Sequence, residues 1–326
     1  MQLRKIGNTD LQAAPLAFGG NVFGWTADEK MSFQLLDKFV DSGFNLIDTA
    51  DVYSVWQEGS NGGESETIIG KWLKQSGKRD KVLIATKCGM KMARDLGCES
   101  LSKDYILSSV DKSLKRLQIE TIDLYQAHND DPNTPLEETM EAFDSLIKAG
   151  KVRAVGASNY KAERLKEAPE VSARMNVARY ECLQPEYNIY DRADYETELE
   201  PFCVKEELGV ISYFSLARGF LSGKYRQESD RSQSPRGAGV KKYMNDRGFQ
   251  IIDTLEEIAA EHKSNCAQIA IAWLVHRPSI TAPIASATKM EQLDDLIAAA
   301  QIELSDENIK RLDAASQYES VMASAN

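Results

Sequence analysis

The sequence has few residues of the kinds that bind metals or form disulfides. Its five cysteines are an odd set without a CxxC pair, and its three histidines form neither an HExxH motif nor a cluster with cysteine. These counts exclude the common zinc spacings and are typical of free thiols in a reducing compartment. We therefore predict a cytoplasmic protein without a bound metal.

Long apolar runs and an excess of positive charge are also missing. No segment approaches the roughly 18 to 20 uncharged apolar residues of a membrane span. Residues 7–10 interrupt the apolar core that a signal peptide requires. The chain carries 39 basic and 50 acidic residues, a net charge of −11. A surface this negative repels phosphate backbones, so neither a membrane nor nucleic acid is an expected partner.

Short β-branched runs alternate with amphipathic helical segments along the whole chain. The strand-like runs begin near residues 15, 45, 82, 122, 152, 181, 210 and 281. Eight βα units fit a doubly wound sheet or a closed barrel, and an unbroken series favours the barrel. We predict one (β/α)8 barrel domain over residues 1–326, an α/β fold with extra C-terminal helices. Residues 3–6 and 11–14 are predicted to form a β-hairpin that closes the barrel floor.

Two connecting segments carry their own predictions. The sequence Thr134-Pro135-Leu136-Glu137 predicts a capping box with proline at the first helical position. The long interval between the seventh and eighth strands includes residues 222–242, which are rich in serine, glycine and basic residues. Because helical patterns resume directly after it, we interpret this interval as an active-site loop.

Polar side chains end three consecutive predicted strands. Asp48, Lys87 and His128 stand at the carboxyl ends of the second, third and fourth strands, and Tyr53 follows on the second loop. In a parallel barrel these ends share one rim, which is where active sites form. Taken singly, such residues are more often solvated charges or packing groups.

Taken together, the four residue types suit one reaction. Asp48 pairs with Lys87, whose ammonium group stabilises a phenolate and lowers the pKa of Tyr53 from its usual value of about 10. Such a tyrosine donates a proton to an oxygen that gains negative charge, and a neutral His128 orients the same oxygen. The set would reduce a carbonyl group or oxidise an alcohol.

Two nucleotide-binding motifs are incomplete or missing. Residues 219–225 are one residue shorter than a P-loop and have Tyr225 in place of the metal-binding Ser or Thr. No GxGxxG follows a predicted strand, so a Rossmann site is not supported. A dinucleotide would therefore bind across a barrel mouth.

Six motifs in order resemble those of the aldo-keto reductases, specifically the longer bacterial type. They are DTADVY at residues 48–53, the strands ending in TK and QAH, VGASN at 155–159, LQPEYN at 183–188 and SLARGFLSGKY at 215–225. The resemblance extends from the amino-terminal hairpin to Gln292-Leu293. It implies a (β/α)8 barrel that uses NADPH, with Tyr53 as proton donor, Lys87 and Asp48 as its charged partners, and His128 orienting a small-molecule carbonyl or alcohol substrate.

The resemblance also implies a set of cofactor-binding residues. The family side chains that hold the nicotinamide carboxamide correspond to Ser158, Asn159 and Gln184. The aromatic residue that stacks on the nicotinamide ring corresponds to Tyr213. Asn159 has a second reading as a helix cap. The loop that folds over the pyrophosphate in the family corresponds to Ser215, Leu216, Arg218, Gly219, Gly223 and Lys224. Further cofactor contacts are expected from Gly20, Asn21, Ser286, Thr288, Lys289 and Gln292.

Two positions depart from the family pattern. Gln292 stands where some members have arginine, which leaves Lys289 as the nearest cation for the adenosine 2′-phosphate, with Arg236, Lys241 and Lys242 as helpers from the long loop. NADPH is the expected cofactor and NADH the alternative. Val22 stands where some members have a substrate-facing tryptophan, so the apolar candidates for the pocket wall are Val22, Phe23, Trp25, Trp56 and Met90. Ordinary packing explains any one of these five equally well.

Three functions remain open at this point. The first is a nicotinamide-dependent reductase of aldehydes or ketones. The second is a dinucleotide-binding regulatory or sensor subunit with little turnover, as in channel-associated members of the family. The third is a Schiff-base lyase that uses Lys87 as nucleophile, although Asp48 would keep that lysine protonated.

Overall fold

The protein opens with a short antiparallel hairpin, followed by a parallel sheet. The computed structural model describes residues 2–92, 100–233 and 237–318; Arg236 of the predicted 2′-phosphate site lies outside them. The hairpin pairs β1 (Arg4–Lys5) with β2 (Gln12–Ala13). The sheet contains β3 (Ala17–Gly19), β4 (Leu46–Asp48), β5 (Leu83–Cys88), β6 (Ile122–Ala127), β7 (Val152–Ser158), β8 (Cys182–Gln184), β9 (Gly209–Val210) and β10 (Ile284–Ala285).

The parallel sheet closes into a barrel. Its strand order is β10-β3-β4-β5-β6-β7-β8-β9, so neighbours in the sheet follow the chain except at one junction. At the two ends of this order, where β9 and β10 meet, the backbone N–H of Ile284 donates to the carbonyl of Ser212 at 2.8 Å, and the N–H of Thr281 donates to that of Val210 at 2.8 Å. These bonds join the two edge strands, and the predicted (β/α)8 fold is confirmed.

The barrel interior is filled by alternate strand residues. Side chains of a strand point to opposite faces in turn, so Leu46 lies in the interior cluster while Ile47 packs toward the helices. Ile6 and Leu11 of the hairpin belong to the interior cluster as well. The hairpin therefore covers the amino end of the barrel, as the sequence predicted, and leaves the carboxyl ends of the strands as its mouth.

Helices surround the barrel, and all but the nearly fully buried α8 leave part of their surface to solvent. They are α1 (Glu29–Asp41), α2 (Glu64–Ser76), α3 (Lys103–Leu117), α4 (Leu136–Lys148), α5 (Ala162–Met175), α6 (Glu200–Lys205), α7 (Asp246–His262), α8 (Cys266–His276), α9 (Met290–Ala299) and α10 (Asp306–Ala315). In α4 the apolar residues Leu136, Met140, Phe143 and Leu146 are buried. Helix α7 lies within the long interval between β9 and β10, and α10 follows the eighth βα unit. No helix in the described ranges is long and apolar enough to cross a membrane.

The capping box predicted at Thr134 is wrong. Helix α4 begins at Leu136, and the hydroxyl of Thr134 donates to Oδ2 of Asp131 at 2.6 Å instead of capping the helix. Asp131 also accepts the backbone N–H groups of Leu101 and Asn133. The carboxylate of Asp131 is a stronger hydrogen-bond acceptor than a hydroxyl, so the hydroxyl of Thr134 serves as a donor to it.

Candidate active site

Three neighbouring strands bring Asp48, Lys87 and His128 to the barrel mouth. Asp48 ends β4, Lys87 lies next to the end of β5, and His128 directly follows β6. In the strand register Asp48 is paired with Ala85, and Lys87 is paired with Gln126. Because Ala85 and Lys87 are two positions apart on one strand, Asp48 and Lys87 face the same interior.

The ammonium group of Lys87 uses all three of its hydrogens inside the protein. It donates to Oδ2 of Asp48 at 2.8 Å, to the carbonyl of Thr49 at 2.7 Å and to the hydroxyl of Tyr53 at 3.0 Å. The side chains of Lys87 and Asp48 are 0% and 1% exposed. A buried ion pair persists only when its remaining polar atoms are bonded, and here they are. Thr49 was not predicted as a partner of Lys87, although it stands in the DTADVY motif.

Tyr53 is held over this pair by the loop that follows β4. Its hydroxyl lies 3.3 Å from Oδ2 of Asp48, and its ring centroid lies 4.7 Å from Nζ of Lys87. The next residue, Ser54, has a φ of 77° and donates its hydroxyl to the carbonyl of Phe23 at 2.8 Å. This contact fixes the loop that carries the tyrosine.

The pKa of Tyr53 shifts in the direction opposite to the prediction. Burial, followed by the carboxylate of Asp48, raises the pKa of Tyr53 well above 10. The pKa of Lys87 is lowered by burial, with the charge of Asp48 opposing the change. Lys87 alone would lower this pKa, but the hydroxyl of Tyr53 and the ammonium group of Lys87 both bond Oδ2 of Asp48. Tyr53 therefore retains its proton at neutral pH.

His128 is a neutral imidazole next to Tyr53. Burial, and then the charge of Lys87, lower its pKa well below 6.5. Its ring centroid lies 5.9 Å from that of Tyr53. Nδ1 is buried and has no partner within the described part of the chain. A neutral imidazole carries one N–H, which is available to a bound oxygen.

The polar side chains predicted to bind the carboxamide lie at or directly after the ends of the next two strands, β7 and β8. The hydroxyl of Ser158 donates to the backbone carbonyl of Gln184 at 2.9 Å. Asn159 has a φ of 57°, and its Nδ2 donates to the carbonyl of His128 at 2.8 Å. Helix α5 begins at Ala162 after Lys161, so Asn159 is not its cap. The hydroxyl of Tyr213 donates to Oδ1 of Asn159 at 2.7 Å, which places the predicted stacking residue at the same rim.

The segment predicted to cover the pyrophosphate has a tightly turned backbone. Arg218, Gly219 and Gly223 have φ values of 59°, 97° and 79°, and two of these three positions are glycines, which adopt positive φ without strain. Ser215 is buried and donates to the carbonyl of Ile284 at 2.7 Å. Leu216 packs partly against the core.

The two cations of this segment are exposed. The guanidinium carbon of Arg218 lies 4.1 Å from the ring centroid of Phe214, and Nζ of Lys224 lies 5.0 Å from that of Tyr225. Neither side chain forms an ion pair with another described residue. Phe214, whose ring lies under the guanidinium group of Arg218, was not predicted as part of this segment's site. By contrast, Lys242 is paired with Glu186 and Asp191 at 3.2 Å each, so its charge is already matched.

The remaining predicted cofactor-binding residues gather where β10 meets β3. Oγ of Ser286 donates to Oδ1 of Asn21 at 2.8 Å. Gly20 lies so close to β4 that an added Cβ would stand 3.0 Å from the carbonyl of Asp48. Oε1 of Gln292 accepts both the N–H and the hydroxyl of Thr288. Lys289 is exposed just before α9.

The five candidates for the substrate wall separate into two groups. Val22 and Phe23 are 1% and 0% exposed and belong to the core between barrel and helices, with Phe23 stacked on Phe18. They have no surface that a substrate could contact, so these two predictions are corrected. Trp56 is 47% exposed, and its ring centroid lies 5.9 Å from that of Tyr53. Trp25 packs edge-on against Trp56 at 5.6 Å, and Met90 is partly buried.

Comparison with known proteins gives one family. The sequence pattern described as "Aldo/keto reductase family" matches residues 15–317. The uncharacterized oxidoreductase YrpG of Bacillus subtilis (strain 168) is 33% identical over 319 residues, covering 96% of this chain and 95% of the relative. The aldo-keto reductase YhdN of the same organism is 32% identical, covering 91% and 88%. An Arabidopsis thaliana protein named "Probable voltage-gated potassium channel subunit beta" is 31% identical, covering 93% and 92%.

The protein therefore belongs to the aldo/keto reductase family. The family match spans the barrel from β3 through α10 and includes every strand end discussed above. Family membership identifies the protein as an oxidoreductase with a TIM-barrel fold.

Proposed function

We propose that the protein reduces the carbonyl group of aldehydes or ketones with NADPH, and oxidises alcohols in reverse, with Tyr53 as proton donor. One observation carries the proposal: Nζ of Lys87 bonds both Oδ2 of Asp48 and the hydroxyl of Tyr53. Loss of the tyrosine proton leaves a phenolate beside an ammonium group, which favours proton transfer to an oxygen that gains charge.

The chain's own residues handle the proton and the orientation of the substrate. A bound reduced nicotinamide supplies the hydride. Tyr53 gives its proton to the carbonyl oxygen, and Lys87 stabilises the phenolate that remains. Neutral His128 donates its N–H to the same oxygen and orients it. The raised pKa of Tyr53 keeps the proton in place until the substrate oxygen becomes basic.

The residues at the mouth fit a dinucleotide. Ser158, Asn159 and Gln184 are uncharged polar groups, and an uncharged carboxamide needs both donors and acceptors. Arg218 and Lys224 are exposed cations without an ion-pair partner among the described residues, next to glycines that allow close backbone approach. Lys289 is exposed just before α9 and is the cation nearest in sequence to Gln292, which supports a modest preference for NADPH over NADH.

The two alternative functions are less consistent with the geometry. All three hydrogens of Lys87 are bonded and its side chain is 0% exposed, so it does not present a free amine for a Schiff base. The Arabidopsis relative carries a channel-subunit name. A subunit without turnover would have no need for Tyr53, Lys87, Asp48 and His128 at one rim.

NADPH oxidation, followed at 340 nm against a panel of aldehydes, ketones, dicarbonyls and sugars, tests the proposal. Tyr53→Phe keeps the ring and removes the proton, so turnover should fall about 100-fold or more. The dissociation constant for NADPH should stay close to that of the parent.

Tyr180→Phe is the matched control. It removes a buried hydroxyl that pairs with that of Tyr160 in the core outside the barrel interior, and it should keep parent turnover. A Tyr53→Phe variant as active as the parent would show that another group donates the proton. A parent that oxidises no NADPH with any carbonyl would contradict the proposed function itself.

A further inference from the structure

Gln184 spans the barrel mouth to reach Asp48. Its Nε2 donates to Oδ1 of Asp48 at 2.9 Å, and the two residues are 2% and 1% exposed. They end β8 and β4, which lie on opposite sides of the closed eight-stranded order. A carboxylate only accepts hydrogen bonds, so the amide must present its nitrogen to Asp48.

This contact completes the hydrogen bonding of the Asp48 carboxylate. Oδ2 accepts from Lys87 and Tyr53, while Oδ1 accepts from Gln184. No other described side chain donates to Oδ1. A carboxylate with one unbonded oxygen in a buried site is costly, and its plane is free to rotate. Rotation would disturb the single oxygen that aligns Lys87 with Tyr53.

Gln184 is itself held in place. Ser158 is level with it in the β7–β8 register and donates a hydroxyl to its backbone carbonyl. Its side-chain oxygen accepts no hydrogen bond from the described residues. That oxygen is therefore open to a ligand, while one of the two hydrogens of the amide nitrogen is bonded to Asp48.

We infer that Gln184 is a positioning residue for the proton donor: its amide nitrogen fixes the Asp48 carboxylate so that one oxygen aligns Lys87 and Tyr53. The inference rests on the proposed function, because Tyr53 must be the donor for its alignment to matter. It adds to the carboxamide contact expected for Gln184, which uses the opposite end of the same amide.

Two variants separate positioning from cofactor binding. Gln184→Met has a side chain of similar length without the N–H, and its turnover number should fall about 10-fold or more, the scale of one hydrogen bond to a charged group. Gln184→Glu places a carboxyl group next to Asp48 that can donate only while protonated. Its turnover should therefore fall further as pH rises from 5 to 8, by about 10-fold relative to the parent.

The difference between pH profiles reports the introduced carboxyl group. The other titratable groups that act on this cluster are Asp51, Glu66, Lys87, His128, Cys182 and Tyr213, besides Tyr53 itself. Parent and variants share all of them. The inference is overturned if Gln184→Glu has the pH profile of the parent and both variants lose NADPH affinity equally. Gln184 would then be a cofactor contact only.

A crystal structure without cofactor supplies a readout that does not depend on activity. The Gln184→Met variant should show a rotated Asp48 carboxylate and a Lys87–Tyr53 distance longer than 3.0 Å. An unchanged carboxylate would contradict the inference while leaving the reductase proposal intact. A parent without any turnover would contradict the proposed function instead, so the two failures are distinguishable.

Discussion

Glu66 and Arg116 form an ion pair behind the strand that carries Lys87, with Oε2 of the glutamate 2.6 Å from Nε of the arginine. The glutamate side chain is 0% exposed and the arginine 22%. The other oxygen, Oε1, accepts the hydroxyl of Thr86 at 2.6 Å. The carboxylate therefore ties α2 to α3 and to β5, one residue before Lys87.

Arg116→Met should lower the free energy of unfolding by about 3 kcal/mol, because it leaves a buried carboxylate without its counter-charge. Arg174→Met is the matched control: Arg174 pairs with Glu137 on the surface, and its loss should cost less than about 1 kcal/mol. Urea unfolding of both variants measures the difference. Equal losses would show that the pair behind β5 behaves as a surface contact.

Asp51→Asn should change how stability depends on pH. Burial, followed by the charge of Glu66, raises the pKa of Asp51 well above 3.8. The folded state then holds this proton more tightly than the unfolded state, so its stabilising effect is complete below the unfolded pKa. The effect is lost as pH rises toward the folded pKa.

The substitution removes this loss, so Asp51→Asn should gain stability relative to the parent between pH 4 and pH 7, by about 1 kcal/mol or more. Chemical denaturation at several pH values gives the comparison. Parallel curves for parent and variant would mean that Asp51 ionises normally.

The double variant Arg218→Ala with Lys224→Ala should weaken dinucleotide binding. Both cations are exposed, so part of the loss is screened charge and should shrink at high salt. Fluorescence titration at low and high salt measures it. Lys205→Ala, an exposed lysine on α6 away from the barrel mouth, is the control. Unchanged dissociation constants in the double variant would remove this segment from the cofactor site.

Lys289→Ala should erode NADPH affinity and leave NADH nearly untouched. The two cofactors differ by one phosphate, and a charge-assisted bond of roughly 1.5 to 3 kcal/mol corresponds to a preference of about 10- to 100-fold. Dissociation constants for both cofactors on parent and variant decide the matter. Equal losses would mean that Lys289 only shapes the site, and a parent that prefers NADH would contradict the proposed preference.

The order of the elements and the placement of the charged rim follow from the sequence alone. Hydrophobic periodicity is a local property, so eight strand starts and the hairpin could be read directly. Asp48, Lys87 and His128 stand at strand ends, and parallel strands bring such ends together whatever the loops do. The Asp48–Lys87–Tyr53 contacts in the structure agree with that expectation.

Tertiary structure alone decided what depends on the whole surroundings of a group. Thr134 was predicted as a helix cap, but its hydroxyl donates to the buried carboxylate of Asp131. Phe23 was predicted to line the pocket, but its ring stacks on Phe18 inside the core. The pKa of Tyr53 depends on burial and on every nearby charge, so the prediction from the neighbouring Lys87 alone gave a shift in the wrong direction. The bond between Asp48 and Gln184 joins residues 136 positions apart, because only barrel closure brings Nε2 of Gln184 within 2.9 Å of Oδ1 of Asp48 from the opposite strand.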